Sequence, residues 1–327
     1  AGKKIDMEKV NEFMARRAPG KNSLSTSRKE SDIPEILSGM VNGVTCGAPL
    51  CMVIYNENHH SEDYNNIIDT PRPSHADYSA YVKHAGFNDV SGGGHFSGRL
   101  TAPIVFAGSI CRQILEKRGI KIASHIQSIG NVCDEKFNPL AVDNTLIEKL
   151  NQKSFPVINE SIEDKMREFV EEARMAQDST GGIIECVATG VPAGLGSPMF
   201  SGVENLISSV VFGVPAVKGI EFGAGFSITE MLGSEANDQY AYDENGNIVT
   251  LTNNNGGITG GITNGMPVLF RVAIKPTPSI SKPQQTVDLT TKENTTLEIK
   301  GRHDPCIVPR ATVVIESALA IALINLL

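Results

Sequence analysis

The stretch EILSGMVNGVTCGAPLCMVIYN, residues 35–56, indicates which kind of sheet this protein contains. Its apolar and polar residues alternate, which is typical of half-buried β-strands. The dipeptide Asn42-Gly43 lies inside the alternation and is a strong signal for a two-residue hairpin turn. The stretch therefore predicts neighbouring strands that pair antiparallel.

Other segments extend this prediction to the whole chain. Strand patterns cover residues 120–132, 181–192, 216–225, 267–276 and 294–301. Helical patterns cover residues 6–17, 101–119 with Gly119 as the C-cap, 161–177, 202–214 and 311–327. Because the strands follow one another more often than they alternate with helices, we predict an α+β protein with antiparallel sheets, not a doubly wound parallel sheet. We see no linker and predict a single domain over residues 1–327.

Composition excludes several functional classes. The 327 residues are 40% hydrophobic and carry a net charge of −8, which indicates a globular chain without the basic field that nucleic acid or an anionic membrane requires. Six cysteines lack zinc-site spacing, and scattered single thiols favour a reducing, cytoplasmic compartment. The apolar segment 311–327 contains Glu316 and is too short to span a bilayer, so we predict a buried terminal helix.

Residues 71–102 form the strongest candidate for a site. They place Arg72, His75, Asp77, His84, His95 and Arg99 around a triple glycine. A helix beginning near Thr101 would direct free N–H groups at an anion. The alternative is an irregular surface loop with solvated histidines.

Three further clusters of charge carry similar alternatives. Residues 15–32 contain Arg16, Arg17, Lys21, Arg28 and Lys29, which indicate either a solvated face or phosphate capture. Residues 271–280 end a strand at Lys275, which is either an edge gatekeeper or, with Thr277 and Ser279, a phosphate ligand. Residues 301–311 hold Arg302, His303, Asp304 and Arg310 before an apolar helix, which favours a cavity wall over a solvated loop. His59 and His60 are adjacent on a polar loop, so we predict no metal site.

Eight stretches in order along the chain resemble one known family. They are RRAPG (16–20), SRKESDIPEILSGMVNGVTCGAPL (27–50), residues 71–102, DSTGGIIECVATGVPAGLGSPMF (178–200), VPAVKGIEFGAGF (214–226), NNNGGITGGITNGMP (253–267), KPTPSI (275–280) and GRHDPC (301–306). The sequence is similar to chorismate synthase, the last enzyme of the shikimate pathway. The resemblance implies a β-α-β sandwich with helices between antiparallel sheets and a cytoplasmic homotetramer. It also implies 1,4-anti elimination of phosphate from 5-enolpyruvylshikimate 3-phosphate with reduced FMN.

The resemblance assigns roles to individual residues. His75 matches a histidine that protonates or stabilises the reduced flavin, and Asp304 matches an aspartate that relays the substrate proton. The arginines matched to substrate binding are Arg17, Arg72, Arg99 and Arg302, of which Arg17 also falls where some members contact NADPH. The FMN cradle matches His95, Phe96, Ser97, Pro215, Ala216, Gly260, Lys275, Pro276, Thr277, Pro278, Ser279 and Arg302. NADPH or an external flavin reductase is the expected source of reducing equivalents.

The chain departs from the family pattern in three places. His95 and Leu100 stand where many members have Arg and Glu, and Ser74 stands where Gly is usual. The family's Gly-Glu-Ser-His motif, whose histidine protonates the leaving phosphate, does not occur in this sequence. The chain starts at Ala1 without an initiator Met, directly before a helical pattern, so we expect that a preceding family segment is missing and that turnover is slow.

Two other functions remain open on the sequence. One is a relative that binds FMN or a phosphate without efficient turnover, which the missing histidine motif favours. The other is a structural homo-oligomer with a glycine-lined anion site and no flavin.

Overall fold

Five antiparallel strands form the largest sheet in the computed structural model, which describes residues 1–20, 32–56, 68–89, 91–299 and 303–327. The α-helices of these residues are α1 (Met7–Arg17), α2 (Asp77–Lys83), α3 (Thr101–Glu116), α4 (Asn144–Gln152), α5 (Glu163–Met175), α6 (Val203–Phe212), α7 (Gly233–Ala236) and α8 (Val308–Ile324). The strands are β1 (Glu35–Ser38), β2 (Met40–Val41), β3 (Val44–Thr45), β4 (Cys51–Val53), β5 (Lys121–Ile129), β6 (Val132–Cys133), β7 (Gly182–Thr189), β8 (Val217–Phe222), β9 (Tyr240–Tyr242), β10 (Ile248–Thr250), β11 (Ile258–Thr259), β12 (Ile262–Thr263), β13 (Val268–Ile274), β14 (Gln284–Asp288) and β15 (Glu293–Leu297). The large sheet has the order β6-β5-β7-β13-β8.

The structure confirms the predicted α+β class. Four of the predicted strand segments become β5, β7, β13 and β8, which are neighbours in the large sheet with β8 at one edge, and each pairing between them is antiparallel. The predicted hairpin is also present, because β2 pairs with β3 across Asn42 and Gly43. Their φ angles are +50° and +75°, and a type I′ turn requires positive φ at both central residues.

Helix α8 lies at the centre of the hydrophobic core, as the apolar tail predicted. Its Val313, Ile315 and Leu319 have no exposed surface, and the helix contacts α1, α3, α6, β5 and β7. Helix α3 packs directly against it at Gly108, where an added Cβ would lie 2.3 Å from Ser317 Cβ. Within the described ranges, no helix has the length and apolar character needed to cross a bilayer.

The hairpins near the N-terminus contact the same core. Ile36 of β1, Met40 of β2 and Met52 of β4 pack on the hydrophobic cluster to which α1, α3, α8 and the large sheet contribute. Antiparallel strands from two separate parts of the chain therefore contribute to one hydrophobic core.

Glu316 of α8 is a completely buried carboxylate within the helix layer. It accepts hydrogen bonds from Arg16 at 2.8 and 2.7 Å, from Arg112 at 2.8 Å and from Ser124 at 2.8 Å. Burial alone would raise the pKa of Glu316, but the guanidiniums of Arg16 and Arg112 outweigh it and hold that pKa below its usual range. One ionised group thus joins α1, α3, α8 and β5.

A row of charged side chains crosses the opposite face of the sheet. Cross-strand register pairs His125 with Glu185, Glu185 with Arg271, and Arg271 with Glu221. His125 Nε2 lies 2.9 Å from Glu185, and its Nδ1 lies 3.3 Å from Asp134. Burial alone would lower the pKa of His125, but the Asp134 and Glu185 carboxylates outweigh it and raise that pKa. The row alternates in sign, so neighbouring strands attract one another across this face.

Some elements differ from the sequence predictions. Helix α3 itself ends at Glu116, and Gly119 ends its last turn as predicted. Gly119 has a φ of +81°, its N–H donates to Glu116 O at 3.0 Å and the N–H of Ile120 donates to Leu115 O at 3.1 Å, which is the Schellman motif of a glycine-capped helix. Helices α2 and α4 were not predicted, although Asp143 accepts a hydrogen bond from Thr145 N at 2.9 Å as an N-cap of α4. Both helices are too short for a helical period to be distinctive. His59 and His60 lie outside the described residues.

Replacing Glu316 by Gln should destabilise the fold strongly. The variant Glu316→Gln removes the buried countercharge that Arg16 and Arg112 share and leaves Arg112 paired with the more exposed Glu116. Breaking a buried pair costs about 3–5 kcal/mol. Glu116→Gln is the matched control, because Glu116 pairs with the same Arg112 at 3.1 Å but is 39% exposed. That change should cost about 0.5 kcal/mol or less. Denaturant unfolding of both variants measures the difference, and equal losses would contradict the assignment.

The same carboxylate predicts a pH dependence of stability. The folded-state pKa of Glu316 lies below its unfolded value of about 4.3. Its ionised form therefore stabilises the fold above that pH, and the contribution is lost as pH falls through the folded-state pKa. Glu316→Gln should flatten the acid side of the plot of unfolding free energy against pH. An unchanged acid slope would show that other groups cause it.

Candidate active site

His75 contacts an arginine and an aspartate from its own loop. Its Nδ1 lies 2.5 Å from Asp77 Oδ1, and Arg72 donates to the Asp77 carboxylate from Nε at 2.7 Å and from Nη2 at 2.8 Å. Burial alone would raise the pKa of Asp77, but the hydrogen bonds from Arg72 and His75 outweigh it and keep that pKa well below its usual range. Pro71 and Pro73 restrict the backbone on both sides of Arg72. The loop therefore holds an imidazole beside an ionised carboxylate.

The segment after β13 holds this loop in place. Lys275 Nζ donates to Ser74 O at 2.5 Å and to Ser74 Oγ at 3.0 Å, and Arg72 Nη1 donates to Ser279 Oγ at 3.3 Å. Ser74 has a φ of +60°, a left-handed conformation that is unusual for a residue other than glycine. Burial and the positive charge of Lys218 lower the pKa of Lys275. Residues 71–77 and 275–279 thus form one unit.

The loop after α5 joins this unit to the segment that contains Asp304. Ser179 Oγ donates to Thr277 O at 2.7 Å, and the next residue, Thr180, donates from its backbone N–H to Pro305 O at 2.8 Å. Consecutive residues therefore contact the 275–279 segment and the neighbour of Asp304. The 275–279 segment, which holds the His75 loop, is thereby connected to the segment of Asp304.

Arg17 at the end of α1 is tied to the start of α3. Its Nε donates to Thr101 Oγ1 at 2.9 Å, its Nη2 donates to Gly98 O at 3.1 Å, and its Nη1 pairs with Asp32. Arg17 is only 3% exposed, and its partners fix the guanidinium before any ligand binds. Arg99 lies in the same turn and donates its backbone N–H to Ser97 Oγ at 3.3 Å.

Arg310 connects Arg17 with Asp304. Its Nε donates to Arg17 O at 2.9 Å, and its Nη1 lies 2.6 Å from Asp304 Oδ2. Arg310 lies in the first turn of α8, so the helix that anchors the core also positions the predicted catalytic aspartate.

The structure brings several predicted site residues together. The loop of Arg72 and His75 contacts the segment that contains Lys275, Thr277 and Ser279. Arg17 contacts the turn that contains Ser97 and Arg99, and Arg310 connects it with Asp304. Pro276 and Pro278 lie within the same 275–279 segment. His95 is exposed and Phe96 is 40% exposed in a 3-10 turn that precedes Ser97. Arg302 lies outside the described residues.

The remaining cradle residues lie at the two ends of α6. Ala216 O, just beyond the helix and next to Pro215, accepts a hydrogen bond from Lys275 N at 2.9 Å. Gly260 lies in the β11–β12 turn, and the adjacent Gly261 O accepts from Val203 N at the first residue of α6. A helix of 10 residues spans about 15 Å, so Gly260 is separated from Ala216 by roughly that length.

Three participants were not predicted as site residues. Asp32 pairs with Arg17, and Ser179 with Thr180 joins two loops. The only sequence signal for Ser179 and Thr180 was their position directly before Gly181 and Gly182 in the stretch DSTGG. Gly181 there packs so closely that an added Cβ would lie 2.3 Å from Ile274 O.

The residues of this site fit a ligand that carries phosphate. Thr277 Oγ1 is buried and, among the described residues, has no hydrogen-bond partner. A buried hydroxyl without a partner costs free energy, so a ligand oxygen would satisfy it. Lys275, a cationic residue, lies two positions before Thr277 in the sequence. Ser279, which Arg72 contacts, lies two positions after it. Hydroxyl, ammonium and guanidinium groups are all donors from which phosphate oxygens accept hydrogen bonds.

Three kinds of comparison with known proteins point to one family, and each covers 98% or more of this chain. The family model described as chorismate synthase matches residues 1–327. The chain is 46% identical to a chorismate synthase of Korarchaeum cryptofilum over 98% of this chain and 87% of that protein. It is 47% identical to one of Pyrococcus abyssi over 98% of this chain and 88% of that protein. A solved structure titled "Crystal Structure of Chorismate Synthase" is 28% identical with a TM-score of 0.76, covering 100% of this chain and 84% of the other.

Lys275→Met should loosen the loop that contains His75. The change removes two charge-assisted hydrogen bonds to Ser74, a loss of roughly 1.5 kcal/mol. We expect backbone amides in residues 71–77 to exchange hydrogen about tenfold faster. Lys282→Met is the matched control, because Lys282 pairs with Asp178 at 2.7 Å outside this loop. Hydrogen exchange measured by mass spectrometry compares the two variants. Equal protection of residues 71–77 in Lys275→Met and Lys282→Met would contradict the role of the Lys275–Ser74 contact.

Proposed function

The chain belongs to the chorismate synthase family, and from that premise we propose that it forms chorismate from 5-enolpyruvylshikimate 3-phosphate. The reaction is a 1,4-anti elimination, in which phosphate and a ring hydrogen leave the substrate without net oxidation. The observation that carries the proposal is the unit of Arg72, His75 and Asp77 held against residues 275–279. It combines cationic groups with an imidazole in a chain that matches the family from end to end.

Reduced FMN is the cofactor of the proposed reaction. When bound, it supplies electron density to the substrate as phosphate leaves and recovers it as the ring hydrogen departs. The residues proposed to hold it are the 275–279 segment, Ser97 with its neighbours, and Ala216. In that segment the Thr277 hydroxyl has no hydrogen-bond partner among the residues that the structure describes. The Ala216–Lys275 hydrogen bond keeps two of these segments adjacent.

Three arginines are proposed to bind the anionic groups of the substrate. The substrate carries a phosphate and two carboxylates, and guanidiniums bind such groups through paired donors. Arg17 and Arg72 are already oriented by Asp32 and Asp77, so little side-chain entropy remains to be lost on binding. Arg99 follows Ser97 in the turn that Arg17 contacts.

Two residues are proposed to handle protons. His75 has one ring nitrogen engaged by Asp77, which leaves Nε2 for exchange with a bound molecule. Asp304 is oriented by Arg310, a hydrogen bond that steadies the carboxylate as an acceptor of the substrate proton.

We also propose a homotetramer that works in the cytoplasm with an external flavin reductase or NADPH as the reductant. Large apolar side chains support an assembly, because Phe87, Phe200 and Phe226 are 93%, 85% and 81% exposed.

Light scattering should give about four times the chain mass of 35.0 kDa. A mass equal to one chain would contradict the tetramer.

Anaerobic turnover tests the proposed function. The purified chain with chemically reduced FMN and 5-enolpyruvylshikimate 3-phosphate should release chorismate and phosphate in equal amounts. Oxidised FMN should give none, because it cannot supply electron density. Binding of FMN without any product would refute the proposed reaction and favour a relative without turnover. A spectrum of free flavin at all protein concentrations would refute the flavin site itself.

A further inference from the structure

We propose that Asp77 is a positioning residue for His75, holding the imidazole in the tautomer that exchanges its proton through Nε2. The proposal rests on the proposed function only for the role of His75 in turnover. The contact itself is a property of the chain without any ligand. Asp77 carries this role because it is the only carboxylate that the described residues bring into hydrogen-bonding distance of His75.

The contact geometry assigns the proton to Nδ1. Nδ1 lies 2.5 Å from Asp77 Oδ1, and an ionised carboxylate can only accept hydrogen bonds. Arg72 Nη2 lies 3.0 Å from Nδ1 but also 2.8 Å from Asp77 Oδ1. A guanidinium can only donate, so with Nδ1 protonated its hydrogen is directed to the carboxylate. Both donors then converge on one oxygen.

The other ring nitrogen is consequently the functional one. No described residue hydrogen-bonds to His75 Nε2, although the side chain is only 14% exposed. With Nδ1 occupied, the neutral imidazole presents a lone pair at Nε2 and the cation presents an N–H there. Asp77 thereby allows the same atom to accept and to return a proton.

Asp77 is itself fixed more firmly than a surface carboxylate. Its Oδ2 accepts from Arg72 Nε at 2.7 Å and from Arg72 N at 3.0 Å, and its side chain is 11% exposed. The backbone around Arg72 is restricted by Pro71 and Pro73. The carboxylate therefore cannot rotate away from His75 without breaking the Arg72 contacts.

The groups around His75 predict different roles for its two partners. Arg72 and Asp77 face the imidazole from its own loop, and Lys275 reaches the adjacent Ser74 from the end of β13, while Ser279 is neutral. The Asp77 carboxylate accepts the hydrogen of Nδ1, whereas the Arg72 guanidinium can only donate. Removing Asp77 therefore takes away the acceptor that selects the tautomer.

Nitrogen NMR of the histidine-labelled chain without cofactor tests this, with the His75 signals identified by their loss in His75→Gln. A neutral imidazole protonated at Nδ1 gives a pyrrole-type signal from Nδ1 and a pyridine-type signal from Nε2, and the wild-type chain should show this pattern at alkaline pH. Asp77→Asn should move both signals toward the values of mixed tautomers, because an amide oxygen accepts the Nδ1 hydrogen more weakly than a carboxylate does. Asp69→Asn, which removes a carboxylate preceding the same loop, should leave the pattern unchanged. An unchanged pattern in Asp77→Asn, or an equal change in Asp69→Asn, would overturn the proposal. If Asp77→Asn does not fold, the wild-type spectrum still tests the proposal, because a pyridine-type Nδ1 would overturn it.

Steady-state kinetics with reduced FMN separate positioning from a structural role. Asp77→Ala should lower kcat about 100-fold through the misplaced imidazole and raise KM through Arg72. In a His75→Gln background the kcat effect should disappear while the KM effect remains. Equal kcat losses in both backgrounds would overturn the role in turnover. An inactive wild-type chain whose His75 still responds to Asp77→Asn would refute the proposed function and leave the contact established.

Discussion

The buried carboxylate of Glu316 is the interaction on which the rest of this structure depends. Helix α8 is apolar and enclosed by other elements, so an ionised group within it needs donors from every side. Arg16, Arg112 and Ser124 supply them, which fixes α1, α3 and β5 around α8. Because a buried charge without partners is costly, these elements have one arrangement that satisfies it.

This arrangement also determines the candidate site. Arg16 contacts the core carboxylate, and the next residue, Arg17, contacts the start of α3 and the side chain of Asp32. In the first turn of α8, Arg310 donates to Arg17 O and pairs with Asp304. The end of α1 thus lies between the core and the site. Arg16 fixes its position through the core carboxylate, and Arg17 fixes it through contacts at the site. A loop residue such as Asp304 acquires a defined place because it is tied to the most buried helix.

The second half of the site follows a different physical rule. The His75 loop contains a serine with positive φ and is held from outside by Lys275, so its shape is imposed by contacts rather than by local preference. Arg72 and Asp77 compensate each other's charge, which permits both to be nearly buried beside the imidazole. A site prepared in this way loses little entropy when a ligand binds.

The sequence by itself determined four of the five strands of the large sheet, the hairpin at Asn42-Gly43 and the burial of α8, because alternation, turn chemistry and apolar runs are local properties. It also supplied the residue types of the site, from the order of motifs such as residues 71–102. Only the tertiary structure decided which charges meet. Arg16 and Glu316 are 300 positions apart, and Lys275 and Ser74 are 201 apart. Periodicity is silent at such separations, and partners such as Asp32 and Ser179 are selected by the packing of elements that the chain brings together only on folding.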